Sequence, residues 1–239
     1  LWGLWTFYIV SGQHPKAEET ASMLRGLGER TGDVAIGVAG LTAHGAARLM
    51  RGHITDGRRA LEEALASYDR EAHGPLALQL GQDLGAMCLS FLTWAHVHAG
   101  EDDQATQRAS EADALADALA QPSTRAFVDT VLGTWSCVAG DPSEAARRAE
   151  VVVQLAAQMG MPHWDAQARI VRGWSRALGG ESAVEDIRAG VEALTAMGSM
   201  ATMTLYWAGL AEAELAAGRL DEARAAVREA AAYLARSDE

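Results

Sequence analysis

Few residues of this chain are arranged as catalysis or metal binding requires. His96 and His98 are two positions apart, which on a helix places them on different faces, whereas a metal site would need ligands at i and i+4 and a third one. The adjacent acids Asp102 and Asp103 fall at an expected helix start, where solvation and the helix dipole account for them. Neither a Gly-x-Ser-x-Gly nor a His-Glu-x-x-His motif occurs. The sequence therefore predicts a protein that is not an enzyme and uses no metal or other cofactor.

Four side chains that could bind a partner recur at a nearly constant spacing. Trp94, Thr134, Trp174 and Glu212 follow one another at intervals of 40, 40 and 38 residues. If the spacing reflects repeated helices, these side chains lie side by side and form a groove that is partly apolar and partly polar. Such a surface anchors a peptide or a small ligand. The alternative is that both tryptophans only fill wide gaps between divergent helices.

Further polar side chains flank these positions. Gln82 and Asp83 end a segment that either presents Gln82 to a ligand or uses Asp83 to cap the helix beginning at Leu84. His98 is expected beside Trp94, and Arg172 on the helix of Trp174, where it pairs with an acid or with a ligand carboxylate. The predicted groove consists of Gln82, Asp83, Trp94, His98, Thr134, Arg172, Trp174 and Glu212.

A recurring glycine turn would position these residues. The clearest copy runs from Ala217 to Ala223, and Ala139 to Ala145 is another. In each copy a glycine follows an apolar helical run, where a left-handed residue ends a helix without a Cβ penalty, and a helix-starting residue follows within about three positions. Intervals of 40, 48, 40, 40 and 38 residues separate Gly12, Gly52, Gly100, Gly140, Gly180 and Gly218. A near-fixed period of this length is typical of a helical solenoid.

The predicted elements are helices only, because no stretch alternates at period two. First helices of the pairs are predicted at about 1–11, 34–51, 84–99, 123–139, 162–178 and 200–217, and second helices at about 15–30, 55–71, 102–120, 142–159, 182–197 and 220–236. The segment from Tyr68 to Gln82 lengthens one interval and is predicted as an insertion with at most one short helical turn. The last helix has an apolar face made of Leu220, Ala223, Val227, Ala230 and Leu234.

These elements predict an all-α fold. We expect an α/α superhelix, right-handed, of about six antiparallel helix pairs similar to tetratricopeptide repeats, forming a single domain over residues 1–239. In the last unit Trp207, Leu210, Ala211 and Ala223 occupy positions of that repeat pattern, although the period exceeds the usual ~34 residues.

Composition limits the partners. The net charge of −12 and the pI of about 5.0 argue against direct binding of nucleic acid, whose phosphates an acidic surface repels. No apolar run approaches the ~18 residues of a membrane span. Cys88 and Cys137 fall in apolar helical stretches and are expected to be buried thiols of a cytoplasmic protein, a disulfide being the alternative. The apolar start at Leu1 is not a signal peptide and resembles the middle of a helix, so we expect a fragment of a longer protein.

The sequence also resembles a known group of proteins. The residues that carry the resemblance are Leu4-Trp5-Thr6-Phe7, Leu80-Gly81-Gln82-Asp83, the stretch Cys88 to Ala95, Gly160-Met161-Pro162-His163-Trp164, Arg172-Gly173-Trp174 and Leu210-Ala211-Glu212-Ala213. They are similar to the C-terminal tetratricopeptide region of bacterial adenylate/guanylate cyclase–AAA ATPase fusions and of LuxR-type large ATP-binding regulators. The chain departs from that group at Leu80, where Tyr is usual, and at Leu84, where Pro is usual.

The resemblance implies a non-catalytic interaction or sensory domain of a bacterial signalling ATPase or transcriptional regulator. Its partner would be a protein or peptide bound on the concave face, including the protein's own N-terminal ATPase domain. Two alternatives remain open: an oligomerisation scaffold that forms homo-oligomers, and a domain that binds a small-molecule effector.

Overall fold

The computed structural model describes residues 1–237, and throughout that range the chain forms helices joined by short connections without a strand. The helices are α1 (Trp2–Val10), α2 (His14–Thr31), α3 (Val34–Met50), α4 (Ile54–Ser67), α5 (Arg70–His73), α6 (Ala77–Leu80), α7 (Leu84–Ala99), α8 (Asp102–Leu119), α9 (Pro122–Val138), α10 (Pro142–Met159), α11 (Pro162–Leu178), α12 (Val184–Ala196), α13 (Met203–Ala216) and α14 (Leu220–Ser237). A 3-10 turn at Gly74–Leu76 separates α5 from α6. The predicted all-α class is confirmed.

The long helices form the predicted pairs. The first helices are α1, α3, α7, α9, α11 and α13, and the second helices are α2, α4, α8, α10, α12 and α14. Most ends agree with the prediction to within two residues. The main differences are that α4 already ends at Ser67 and that α13 begins only at Met203.

The glycine turns have the geometry that the sequence predicts. Gly12, Gly52, Gly100, Gly140, Gly180 and Gly218 all have a positive φ, between 68° and 86°. After each of them, the next residue's N–H donates to the carbonyl five positions earlier in the first helix. Asp141, for example, donates to Ser136 at 2.8 Å, and Arg219 donates to Glu214 at 2.9 Å. This is the Schellman pattern, in which a glycine without a Cβ ends the helix and satisfies its last carbonyls.

Glycines also allow two helices to approach closely. A Cβ added to Gly28 on α2 would lie 2.7 Å from the backbone of Gly37 on α3, and one added to Gly40 would lie 2.6 Å from the backbone of Arg25. Because the obstacle in both cases is backbone rather than a movable side chain, the α2–α3 spacing depends on these glycines.

Two compact units divide the described chain, and their boundary falls within α9. Unit 1 comprises residues 1–131, and unit 2 begins at Leu132. In unit 1 the largest fully buried side chains include Leu49, Leu61 and Leu92, and in unit 2 they include Ile170 and Met203. The division does not test the predicted single domain, which stays a prediction.

The insertion after α4 is more helical than predicted. Residues 70–80 form α5, the 3-10 turn and α6, instead of at most one turn. Local caps account for the difference, because an Asp69 side-chain oxygen accepts the N–H of Ala72 at 2.8 Å and Pro75 supplies a φ suited to the 3-10 turn. Gly81, with a φ of 93°, ends the segment before α7.

Only part of the predicted apolar face of α14 is buried. Ala223 is buried, and Tyr233, which the prediction omitted, is buried against Trp207 at 5.5 Å between ring centroids. Exposed are Leu220 at 48%, Val227 at 56% and Leu234 at 45%. These three residues form an apolar stripe along the outer side of α14.

Candidate partner-binding face

Asp83 is a helix cap at the centre of a closed hydrogen-bond network. Its side chain is fully buried; one carboxylate oxygen accepts the N–H of Ala86 at 2.9 Å and the other accepts the hydroxyl of Tyr68 at 2.8 Å. Its own N–H donates to the Thr124 hydroxyl at 3.1 Å. Burial raises the pKa of Asp83 although these hydrogen bonds act to lower it. The predicted capping role is therefore confirmed, and Gln82 lies next to it, half-buried.

The insertion is closed at its base and reaches the first helix of unit 1. The Tyr68–Asp83 hydrogen bond joins the two ends of the insertion, and we call this hydrogen-bonded pair the neck. A Cβ on Gly85 would lie 2.6 Å from the Tyr68 ring, so this glycine makes room for the tyrosine. Further along, the indole N–H of Trp2 donates to the carbonyl of Leu80 at 2.9 Å. The insertion thus contacts α1 as well as α7.

Trp94 and His98 lie together on α7 but differ in exposure. Trp94 is only 7% exposed, and its ring centroid is 5.9 Å from that of Phe91. His98 is exposed at the surface, and its ring centroid lies 6.2 Å from that of Trp94. The side of the imidazole that faces the protein is shielded from water, which lowers the pKa of His98. Of this pair, only His98 offers a surface to a partner.

In unit 2, Trp174 holds Glu212 in place. Trp174 is 2% exposed, and its indole N–H donates to a carboxylate oxygen of Glu212 at 2.8 Å. Its ring packs on α13 so closely that a Cβ on Gly209 would lie 2.6 Å from a ring carbon. Trp174 therefore fills the space between α11 and α13, which was one of the two interpretations. Glu212 itself is exposed.

Thr134 and Arg172 complete the predicted set in unit 2. Thr134 is buried on α9. Arg172 is half-buried, and its guanidinium lies 3.4 Å from a carboxylate oxygen of Asp186 on α12. The acid that the sequence left unidentified is thus Asp186, and the pair connects α11 to α12.

The first helices of unit 2 lie side by side. Cys137 at the end of α9 places its Sγ 3.8 Å from the carbonyl of Val171 on α11, and Trp174 on α11 contacts Gly209 on α13. Burial and, secondarily, the negative charge of Glu212 raise the pKa of the Cys137 thiol to about 12.

Apolar residues are exposed at the ends of the three first helices of unit 2. The spacing of the inner positions predicts Leu215 as a neighbour of Glu212, but sequence reasoning missed Val138 and Leu178. Val138 ends α9 at 39% exposure, Leu178 ends α11 at 40%, and Leu215 lies near the end of α13 at 59%. We call these three residues the apolar edge. Val138 and Leu178 follow Thr134 and Trp174 by four positions, which on a helix places them on the same side. The available signal was a large apolar residue two positions before Gly140 and Gly180.

Glu212 is also unusual in its charge environment. Glu214, two residues later, is buried and contacts two arginines, Arg188 at 2.5 Å and Arg219 at 2.6 Å. Within residues 1–237, by contrast, no arginine, lysine or histidine lies within salt-bridge distance of Glu212. Its charge is left for solvent or for a partner.

The two cysteines of the chain are buried and poorly reactive. Burial raises the pKa of both Cys88 and Cys137 to about 12, so these thiols stay protonated and weakly nucleophilic at neutral pH. No three His, Cys, Asp or Glu residues come together as a metal site within the described chain. None of the helices in that range has the length and apolar content needed to cross a bilayer.

Known proteins resemble this chain in structure but not detectably in sequence family. No family model and no curated protein matches the chain. Among solved structures, it is similar to the crystal structure of BtubC (BKLC) from P. vanneervenii, with a TM-score of 0.57 and 16% sequence identity, over 93% of this chain and 90% of that one. At this identity the similarity supports the helical fold alone. The relationship to cyclase–ATPase fusions and LuxR-type regulators stays a prediction.

Proposed function

We propose that the chain is a non-catalytic protein-interaction domain that binds a peptide segment of its partner on the first helices of unit 2. The observation that supports this most directly is the exposed Glu212 carboxylate. The buried Trp174 indole holds it, and no described residue of the chain, 1–237, forms a salt bridge with it. The apolar edge lies at the ends of the same three helices. A polar group fixed by a buried neighbour and flanked by apolar surface is a typical peptide anchor. The proposed face does not use the rings of Trp94 and Trp174 as contact surface, because both side chains are buried.

The proposed consequence of binding is a signal to an attached module. A partner seated on α9, α11 and α13 would favour one arrangement of these helices, and a linked ATPase or regulatory domain would respond to that shift. The sequence resemblance supports a bacterial signalling ATPase as the module, and its own ATPase domain is one source of the bound segment.

Hydrogen exchange on the full chain tests the location. Random twelve-residue peptides displayed on phage are selected against the chain, and the binders are footprinted by amide exchange. We expect protection at the ends of α9, α11 and α13. Binders that protect only other helices, or a selection that yields none, would refute the proposal.

A second candidate function, self-association, is favoured by the apolar stripe on α14. Val227 and Leu234 lie nine and sixteen residues after their turn glycine, as Ala149 and Ala156 do on α10. Ala149 and Ala156 are 1% and 3% exposed, because α11 packs against α10. The equivalent surface of α14 is suited to another helix, for which a second copy is a candidate.

Sedimentation of the chain at increasing concentration separates the two functions. If the stripe mediates association, the wild-type chain forms oligomers and Val227→Glu is a monomer. Ala225→Glu is the matched control, since residue 225 is exposed on the same helix outside the stripe. A monomeric wild type at all concentrations would exclude this candidate.

A further inference from the structure

We infer that the segment recognised by unit 2 is basic and apolar, with a Lys or Arg flanked by large apolar side chains. This inference rests on the proposed function, because it assigns the chemistry of the partner to the same face. It follows from three features of that face: the charge of Glu212, the helix ends beside it and the apolar edge.

The described part of unit 2, residues 132–237, contains no cationic side chain in a salt bridge with Glu212. The surrounding arginines already have acidic partners: Arg172 contacts Asp186, and Arg188 and Arg219 contact Glu214. The Trp174 N–H occupies only one of the two Glu212 oxygens. Glu212 is exposed as a residue, and the second oxygen of a carboxylate held in this way suits an ammonium or guanidinium donor.

The ends of the first helices add to this preference. Helix α13 ends at Ala216, one turn after Glu212, and α11 ends at Leu178, one turn after the tryptophan that holds Glu212. A helix C-terminus carries a partial negative charge of about half an elementary charge, and it stabilises nearby cations. The net charge of −12 acts over longer distances in the same sense and would speed the approach of a basic segment.

The apolar edge requires that the segment also contain apolar side chains. Leu215 is exposed on α13, the helix that carries Glu212. The other two residues of the edge, Val138 and Leu178, are exposed at the ends of α9 and α11. Covering them removes apolar surface from water, which gives affinity, whereas one exposed ion pair alone contributes little because water and salt screen it. Acidic or phosphorylated segments would be repelled, and a purely basic one would leave this surface uncovered.

The selection of twelve-residue peptides against the full chain provides the test. Binders that protect α9, α11 and α13 from exchange should contain Lys or Arg next to Leu, Ile, Val, Phe or Met more often than the starting library. A selected peptide is then compared with a version in which its basic residue is replaced by Gln, by fluorescence anisotropy on wild type and variants.

Glu212→Gln is the central variant, because the glutamine carbonyl can still accept the Trp174 N–H. It should weaken the basic peptide about three- to tenfold and leave the Gln version unchanged. Glu192→Gln, an exposed acid on α12, should change neither affinity. Leu178→Ser should weaken both peptides. Each variant is checked for an unchanged melting temperature, and added salt should weaken the basic peptide only.

The outcomes distinguish the inference from the proposed function. Neutral or acidic binders that protect the same helices, with no effect of Glu212→Gln, would overturn the basic preference and leave the interaction function standing. Binders confined to other helices, or none at all, would remove both.

Discussion

Trp174 and Gly209 pack against each other across the contact between α11 and α13. The indole ring occupies the space that a Cβ on residue 209 would need, at 2.6 Å from a ring carbon. The same tryptophan donates its N–H to Glu212, one turn further along α13. The packing of two helices and the orientation of the exposed carboxylate therefore depend on one side chain.

Gly209→Ala should destabilise the protein, because the added methyl group would push the Trp174 ring away. We expect a loss of about 1–3 kcal/mol in the free energy of unfolding, measured by urea denaturation followed by circular dichroism. Gly3→Ala is the control, since nothing lies within 4 Å of its Cβ position on α1. There the higher helix propensity of alanine should raise stability by up to about 1 kcal/mol. Equal effects of the two changes would contradict the packing explanation.

Tyr68→Phe should weaken the neck of the insertion. It removes the hydroxyl that donates to the buried Asp83 carboxylate, and we expect a loss of about 1–3 kcal/mol at neutral pH. Because burial already raises the pKa of Asp83, the folded state takes up a proton at a higher pH than the unfolded chain does. The protonated acid depends less on a donor, so the deficit of the variant should shrink as the pH falls.

Tyr8→Phe provides the matched control for this change. The Tyr8 ring contacts the Lys16 ammonium at 5.5 Å, and its hydroxyl has no hydrogen bond to another described residue, 1–237. Thermal denaturation of both variants between pH 4 and 8 gives the comparison. A pH-independent loss for Tyr68→Phe would show that Asp83 is not the affected group.

Gly140→Ala should be costly although its Cβ position is open. The φ of Gly140 is 76° and nothing lies within 4 Å, so the cost is backbone strain rather than a clash, about 1 kcal/mol. Gly140→Asn should lose less, because asparagine tolerates the left-handed region better. If the two substitutions were equally mild, the turn would not depend on a left-handed residue.

Glu18→Gln should remove an acid-sensitive contribution to the stability of unit 1. Burial acts to raise the pKa of Glu18, but hydrogen bonds from Arg51 and Arg48 outweigh it and hold the pKa below its ordinary value of 4.5. A lowered pKa means that the ionised acid stabilises the folded state above pH 4.5 and that this contribution is lost as the pH falls further. The variant should therefore be about 1–2 kcal/mol less stable at pH 7.

The neighbouring exposed acid, Glu19→Gln, should change stability little at any pH. Denaturant titrations at pH 7 and at several values below 4.5 would show a smaller pH dependence for Glu18→Gln than for the wild type. If the free energy of unfolding depended on pH equally in both proteins, the role assigned to Arg48 and Arg51 would be contradicted.

The local parts of the fold could be predicted from the sequence. A turn glycine such as Gly100 and a cap such as Asp83 act within a few residues, so the spacing of such signals located the helix ends well. The helices of the insertion were missed because α5 and α6 are shorter than a reliable periodic pattern. The capping residues of such short helices can be recognised only when the helix ends are already known.

The candidate site was harder to predict because it depends on distant neighbours. The sequence placed Trp174 and Glu212 on adjacent helices, but the burial of Trp174 depends on Gly209 and the availability of Glu212 depends on where the arginines point. Likewise, the spacing of the sequence alone could not identify Asp186 as the salt-bridge partner of Arg172. The exposure of Val227 on α14 reflects which helix packs on that side, and local amphipathicity cannot specify that.

The closed neck makes the insertion a natural place for new sequence. Tyr68 and Asp83 hold its ends together irrespective of what lies between them, and lengthening a flexible loop twofold costs only about 0.6 kcal/mol. An epitope or reporter spliced in at Leu78, which is 84% exposed, should leave the neighbouring helices folded.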